Sequence, residues 1–302
     1  MYDIIIVGAG PAGLTAAIYG VRANKKVLVL EARSYGGQII NANKIENYPA
    51  LKNISGFDFA SNLYNQANDL GAEIKFEKVI NINDLKDIKE VETTDNKYKS
   101  KTIILATGAD NRKLNLENEK ELIGKGVSYC ATCDGNFYKE KVVAVVGGGN
   151  TAAEDALYLS DIVKKVYLIH RRDEFRASLS TLEQLKKKEN VEFIYNSNVT
   201  MLNGIEKLES IEVMDKNNNK KNIKIDGLFI AVGQVPSNEN FRNLIKMDDN
   251  GYIIAKEDCH TNIEGIFAAG DSRTKDLRQL VTATSDGAIA AVEATKYINN
   301  KK

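Results

Sequence analysis

The chain has 302 residues, 43% of them hydrophobic, with Lys+Arg and Asp+Glu balanced at 41 each. That length suggests two domains with apolar side chains enough for two cores, and a formal net charge of zero argues against nucleic-acid or membrane-surface roles, which draw on a basic excess. Three cysteines are too few for a secreted disulfide framework. The start, Met1-Tyr2-Asp3-Ile4, has no basic leader or cleavage site. The longest apolar runs break at glycine short of a bilayer span, so a soluble, cytoplasmic chain is expected.

Tyr2 to Val7 reads as a buried strand. Gly8-Ala9-Gly10-Pro11-Ala12-Gly13 follows, then a helical pattern to about Asn24 and a second strand over 26–30 that runs into Glu31. This order is the dinucleotide-binding fingerprint in its required context. Gly8 permits the tight turn, Gly10 lets backbone approach a pyrophosphate, and Gly13 lets helix pack on strand. Pro11 and Ala12 open the helix, whose first N–H groups and positive dipole end suit an anion. Glu31 stands where a carboxylate accepts both ribose hydroxyls.

Tyr35-Gly36-Gly37-Gln38 and Glu46-Asn47-Tyr48-Pro49 read as ordinary glycine and Asn-x-Pro turns. Residues 57–70 carry an amphipathic helical pattern. Residues 73–106 read as short β segments with a turn at Asp95-Asn96, closing on a buried strand over 102–106 that leads to Thr107-Gly108. Next comes Cys130-Ala131-Thr132-Cys133-Asp134-Gly135. Two thiols at this spacing beside a strand–glycine–helix unit read as a redox-active pair. The competing reading, half of a zinc site, is short of ligands: Cys259, His170 and His260 remain, without a second close pair. Asp134 suits either a proton donor or a helix N-cap.

Val142 to Val146 is another buried strand, running into Gly147-Gly148-Gly149. An offset of 139 residues lays Gly8 on Gly147, Gly10 on Gly149, Gly13 on Ala152, Ala17 on Ala156, Tyr19 on Tyr158 and Lys26-Val27 on Lys165-Val166, without a gap. The chain thus carries two nucleotide-binding βαβ units, with Asn150 and Thr151 opening the second helix. The copies differ at the end of their second strand. His170 replaces Glu31 and is followed by Arg171, Arg172 and Arg176. A carboxylate repels a 2′-phosphate, whereas guanidinium groups grip one with paired hydrogen bonds. The first unit is therefore expected to hold a ligand with an unmodified adenosine ribose, such as FAD, and the second NADPH, with His170 a nucleotide contact at most.

Further on, 182–188 reads as a charged helix and 191–232 as β hairpins around Asn217-Asn218-Asn219. Residues 238–246 read as a connector, 265–271 as a buried strand ending in Gly270-Asp271, and 287–298 as a final helix. Cys259-His260 reads as an incidental pair on a polar loop.

Four motifs together make the chain resemble the low-molecular-weight thioredoxin reductases over essentially its whole length. They are Gly8-x-Gly10-x-x-Gly13; Cys130-Ala131-Thr132-Cys133-Asp134; Gly147-x-Gly149-x-x-Ala152 with His170-Arg171-Arg172 and Arg176; and Phe267-Ala268-Ala269-Gly270-Asp271. The resemblance implies an α/β fold of two Rossmann-like, three-layer nucleotide-binding domains. An FAD domain would comprise 1–112 and 245–302, and an NADPH domain, 113–244, would be inserted in it and carry the Cys pair. It also implies that Gly270-Asp271 meets the flavin's ribityl chain and that Gly37, Gln38, Asn47, Gly108, Arg278 and Gln279 lie near the flavin. Cys133 would face the flavin, Cys130 would attack a partner disulfide and Asp134 would donate a proton. Such enzymes are homodimers that reduce thioredoxin or a thioredoxin-like protein.

Two positions depart from the family pattern. Asn136 stands where relatives often carry an aromatic residue before Phe137-Tyr138, part of the implied docking surface. Tyr129 is bulkier than the usual small residue. Because the Cys pair and the NADPH site share one domain and serve one flavin, a swivel is expected on connectors near 111–115 and 238–246.

Overall fold

Apolar runs at Tyr2–Val7 and Val142–Val146 offer no polar face, so each becomes a strand covered on both sides. In the computed structural model, which describes residues 1–42 and 44–301, these strands lie in separate units. One unit comprises residues 1–110 and 235–302, the other 111–234.

Among the described residues, the first unit's sheet runs Glu73–Lys75, Val27–Leu30, Tyr2–Val7, Lys97–Leu105, all parallel, with Ile266–Ala268 also parallel to Lys97–Leu105. The antiparallel strands Ile88–Thr93 and Val79–Leu85 extend it. Alternation along Tyr2–Val7 sorts side chains into two layers. Ile4 and Ile6 join Leu14, Ala16, Ala290 and Ala294 from the helices Pro11–Arg22 and Leu280–Asn300. Ile5 and Val7 face Phe241, Ile245 and Ile253 on the other side. The helix pair packs closely, since a Cβ on Gly287 would lie 2.2 Å from the Ala12 carbonyl oxygen.

Two expectations are corrected here. The stretch 238–246 is no connector. Phe241 and Ile245 fill the second layer, and the buried Asn238 amide donates to the Gly251 and Ser272 carbonyls at 3.0 and 2.8 Å. Asn238-Glu239-Asn240-Phe241-Arg242-Asn243 is locally polar, and its lone phenylalanine finds a core only in three dimensions. The units instead divide at 110/111 and 234/235, where Ala109–Asn111 and Gln234–Pro236 pair as a two-stranded ribbon. Cys259 lies on the expected polar loop, between Asp258 and His260, but its side chain is fully buried, and burial pushes its thiol pKa up to about 12. The final helix begins at Leu280 rather than 287, because Gln279 and Thr282 form a capping box ahead of a β-branched first turn that hides the helical pattern.

The second unit holds a parallel sheet in the order Val191–Ile194, Lys165–Ile169, Val142–Val146, Gly227–Ile230, Val127–Ser128, and an antiparallel sheet of Ser197–Asn203, Ser210–Asp215 and Lys220–Lys224. The internal repeat holds to the register. Ile4 pairs with Val27 and Val7 with Leu30; at the same offset Val143 pairs with Val166 and Val146 with Ile169. The charged helix is Leu179–Lys186, started by Ser178, whose hydroxyl accepts the Thr181 N–H at 3.3 Å. No helix among the described residues is long and apolar enough to cross a membrane.

Candidate functional site

In the first unit, Gly8 turns with φ +108°, and a Cβ there would lie 2.3 Å from the Ala106 carbonyl oxygen, so only glycine passes the neighbouring strand end. Gly13 packs on that turn, where a Cβ would meet the Gly8 carbonyl oxygen at 1.9 Å. Gly10 precedes the helix, with Pro11 at its first position, so the first-turn N–H groups, those of Ala12 and Gly13 among them, have no carbonyl of their own helix to meet. Glu31 is oriented from both sides. One carboxylate oxygen accepts the Ala9 N–H at 2.8 Å, the other the Arg33 N–H at 2.9 Å.

Gly37 and Gly270 approach this turn, and other segments far apart in sequence pair with one another. A Cβ on Gly37 would lie 3.4 Å from the Gly10 Cα. Gln38 donates to Asp110 at 2.7 Å, and Asn47 donates to Gln279 at 3.2 Å across 232 positions of sequence. A Cβ on Gly108 would meet nothing within 4 Å. Arg278 lies 4.0 Å over the Tyr252 ring and donates to the Arg273 carbonyl at 3.1 Å. Gly270, at φ +77°, sits on the start of the fingerprint helix, where its Cβ would be 2.8 Å from that of Ala12. The neighbouring Asp271 has a buried Oδ1 with no hydrogen-bond partner. Burial pushes its carboxyl pKa up, against the pull of Lys275 and Arg278. An acceptor buried in this way lacks a donor that a ligand hydroxyl would supply.

In the second unit, Gly147 repeats the role of Gly8, a Cβ there lying 2.3 Å from the Ala231 carbonyl oxygen. The helix Asn150–Ser160 starts from Gly149, where a Cβ would meet nothing within 4 Å. Thr151 and Ala152 lie in the first turn, and Asn150 accepts the Ser178 N–H at 2.9 Å. His170 is buried beneath Gly148, whose Cβ would lie 1.9 Å from its ring. Its Nε2 has no partner, and burial, with Arg171 and Arg176 adding, lowers its pKa and keeps it neutral. Arg171, Arg172 and Arg176 are exposed, and among the described residues none forms an ion pair.

The same unit carries the sulfur pair as a disulfide, with Cα atoms 5.3 Å apart. Cys130 caps the short helix Ala131–Asp134, its Sγ accepting the Cys133 N–H at 3.2 Å. Asp134 makes no capping bond. Its carboxylate accepts the Ser128 hydroxyl at 2.7 Å, and burial raises its pKa, opposed by that hydrogen bond. Ser128 also accepts the Cys130 N–H at 3.1 Å. Sequence reasoning missed Ser128, since a serine ending a two-residue strand has no local mark. Tyr129 turns inward, its hydroxyl donating to the buried Glu119, while Asn136 and Phe137 are exposed beside the pair.

The donor sets suit the groups that the resemblance implies. A bare Gly10 edge, an oriented Glu31 and an unsatisfied Asp271 fit FAD. An open Gly149, an unsatisfied His170 and three unpaired guanidinium groups fit NADPH. The family profile of the pyridine nucleotide-disulphide oxidoreductases matches residues 2–287. The thioredoxin reductase of Listeria monocytogenes is 44% identical over 304 aligned positions, covering 100% of this chain and 95% of its own length. That of Bacillus subtilis is 41% identical over 302, covering 99% and 95%. The crystal structure of thioredoxin reductase from Streptococcus pyogenes matches with a TM-score of 0.95 at 40% identity, covering 99% of each chain. On this full-length agreement, the chain belongs to the pyridine nucleotide-disulphide oxidoreductases and, within them, to the bacterial-type thioredoxin reductases.

Proposed function

We propose that this chain is a thioredoxin-disulfide reductase that uses NADPH and FAD and works as a cytoplasmic homodimer on thioredoxin or a thioredoxin-like protein. The observation that carries the reading is the half-exposed Cys130–Cys133 disulfide, set in the same unit as a nucleotide fold whose strand end carries unpaired arginines. FAD is assigned to the unit of residues 1–110 and 235–302, on Gly8, Gly10, Gly13, Glu31, Asp271 and their neighbours. NADPH is assigned to residues 111–234, on Gly147, Gly149, His170, Arg171, Arg172 and Arg176. When bound, FAD supplies a two-electron carrier between a nicotinamide and a disulfide.

Cys130 is assigned as the sulfur that attacks the partner and Cys133 as the one on the flavin side. Once the pair is reduced, the Cys133 N–H that donates to Cys130 Sγ favours a thiolate at Cys130. Attack on the partner disulfide forms a mixed disulfide and expels one partner thiolate. Cys133 then displaces the second, closing the Cys130–Cys133 bond as the partner becomes a dithiol. Each departing thiolate takes a proton. We assign one of these donations to Asp134, a reading supported by its bond to Ser128 and its pKa raised by burial. The links at 110/111 and 234/235 are where we place the expected swivel.

The test is NADPH consumption coupled to reduction of a panel of thioredoxins by the purified chain. Cys130→Ser is expected to abolish coupled reduction while NADPH still bleaches the flavin absorbance. Unimpaired disulfide reduction by that variant would refute the reading and leave the Cys pair as a regulatory switch.

A further inference from the structure

Asp286 was not singled out in the sequence, yet it has the most fully satisfied carboxylate near the candidate flavin site. It lies buried on the C-terminal helix. Its Oδ2 accepts the Gly270 N–H at 2.9 Å, Arg273 Nε at 2.8 Å and Lys275 Nζ at 2.9 Å, and its Oδ1 accepts Arg273 Nη2 at 2.8 Å. The Arg273 and Lys275 side chains are only 1% and 6% exposed, so neither cation is shared freely with water.

Asp271, in the turn that Asp286 anchors, is the opposite case. Its Oδ1 is buried and meets no donor, although Lys275 lies close enough to act on its charge. A buried carboxylate ordinarily captures the nearest ammonium. Here Lys275 goes to Asp286, where Arg273 and the Gly270 N–H complete a closed set of partners. Were Lys275 to turn to Asp271, it would occupy the lone pairs that a polyhydroxyl chain needs, and neutral hydroxyls compete poorly with an ammonium.

We propose that Asp286 is a positioning residue of the flavin site: by holding Arg273 and Lys275 and tethering Gly270, it keeps the Asp271 carboxylate unpaired for the hydroxyl groups of the ligand's ribityl chain. The proposal rests on FAD occupying this unit. A group that only braced the helix against the Gly270 turn would not depend on where Lys275 goes, and that difference can be measured.

The measurement is the rate of FAD release from the full-length holoprotein after dilution, followed by the rise in flavin fluorescence. Asp286→Asn keeps the shape, weakens the hold on Lys275 and should speed release about tenfold to a hundredfold, the range for one charge-assisted hydrogen bond. Adding Lys275→Met should restore release to within about threefold of wild type, a factor well under 1.4 kcal/mol. Release from Asp286→Asn at the wild-type rate, or a double variant no better than the single, would overturn the proposal. If Asp286→Asn does not fold, Lys275→Met alone decides. Unchanged release supports sequestration, and faster release means that Lys275 serves the ligand directly and overturns it. A wild-type chain that retains no FAD would instead overturn the functional reading beneath.

Discussion

Gly13→Ala and Gly149→Ala place the same methyl group in two copies of one motif, with different expected consequences. At Gly13 the new Cβ would lie 1.9 Å from the Gly8 carbonyl oxygen and 3.0 Å from its carbon. An ordinary carbon–oxygen approach is about 3.3 Å, so the helix Pro11–Arg22 must retreat by roughly 1.4 Å. It has little room, because Gly287 of the C-terminal helix is already pressed on the Ala12 carbonyl. Overpacking of this kind costs about 1–3 kcal/mol, several degrees of Tm for the first unit. A retreat of more than about 1 Å also takes the first-turn N–H groups out of hydrogen-bond range of a phosphate, so flavin content should fall at least tenfold, by roughly 1.4 kcal/mol or more. At Gly149 nothing lies within 4 Å. Alanine there costs only about 0.5 kcal/mol as a poorer cap, but it fills the space a pyrophosphate would use. Tm should stay within about 2 °C while the KM for NADPH rises about tenfold. Scanning calorimetry, flavin absorbance and NADPH titration on the two variants decide. A yellow Gly13→Ala protein with the wild-type Tm, or a Gly149→Ala protein that loses Tm and keeps its NADPH affinity, would refute the steric reasoning.

Replacing Arg171 and Arg176 together by Ala should raise the KM for NADPH about tenfold to a hundredfold, from the loss of charge-assisted phosphate contacts, and leave that for NADH nearly unchanged; equal losses with both cofactors would contradict the assignment. Asp134→Asn should slow partner reduction by about a hundredfold or more, as for loss of a general acid. Because burial raises the Asp134 pKa, the wild-type rate should fall as pH climbs through that raised value, and a variant with the same pH profile would exclude the proton-donor role. Asp155 has a carboxyl pushed up to about 7 by burial, with Glu154 adding. A raised carboxyl pKa gives stability that is complete below pH ~4 and lost as pH rises through ~7. Asp155→Asn should therefore leave Tm unchanged at pH 4 and raise it at pH 8 by the equivalent of roughly 1–3 kcal/mol, with calorimetry at the two pH values as the check.

The two fingerprints and their offset were legible from residue types alone, because a tight turn past a strand end tolerates only glycine and leaves its spacing in the chain. The repeat reached even to strand register, Ile4 on Val27 and Val143 on Val166. The exchange of Glu31 for His170 and the arginines was legible for the same reason, since it is a local chemical difference at matched positions. Gln38 and Asn47 carried no such mark. Their local sequence is that of any turn, and Asn47 takes its place from Gln279, 232 positions away.

Tertiary structure decided what depends on burial and on pairing between remote segments. It drew Phe241 and Ile245 out of a polar run into the first unit's core and buried Cys259. It turned Tyr129 inward to Glu119 and set Ser128 between Cys130 and Asp134. It also divided two nearby carboxylates into one saturated with cations, Asp286, and one left without a donor, Asp271. A linear sequence records which groups can ionise or donate. Which partner each one reaches depends on distances that exist only after the chain has packed.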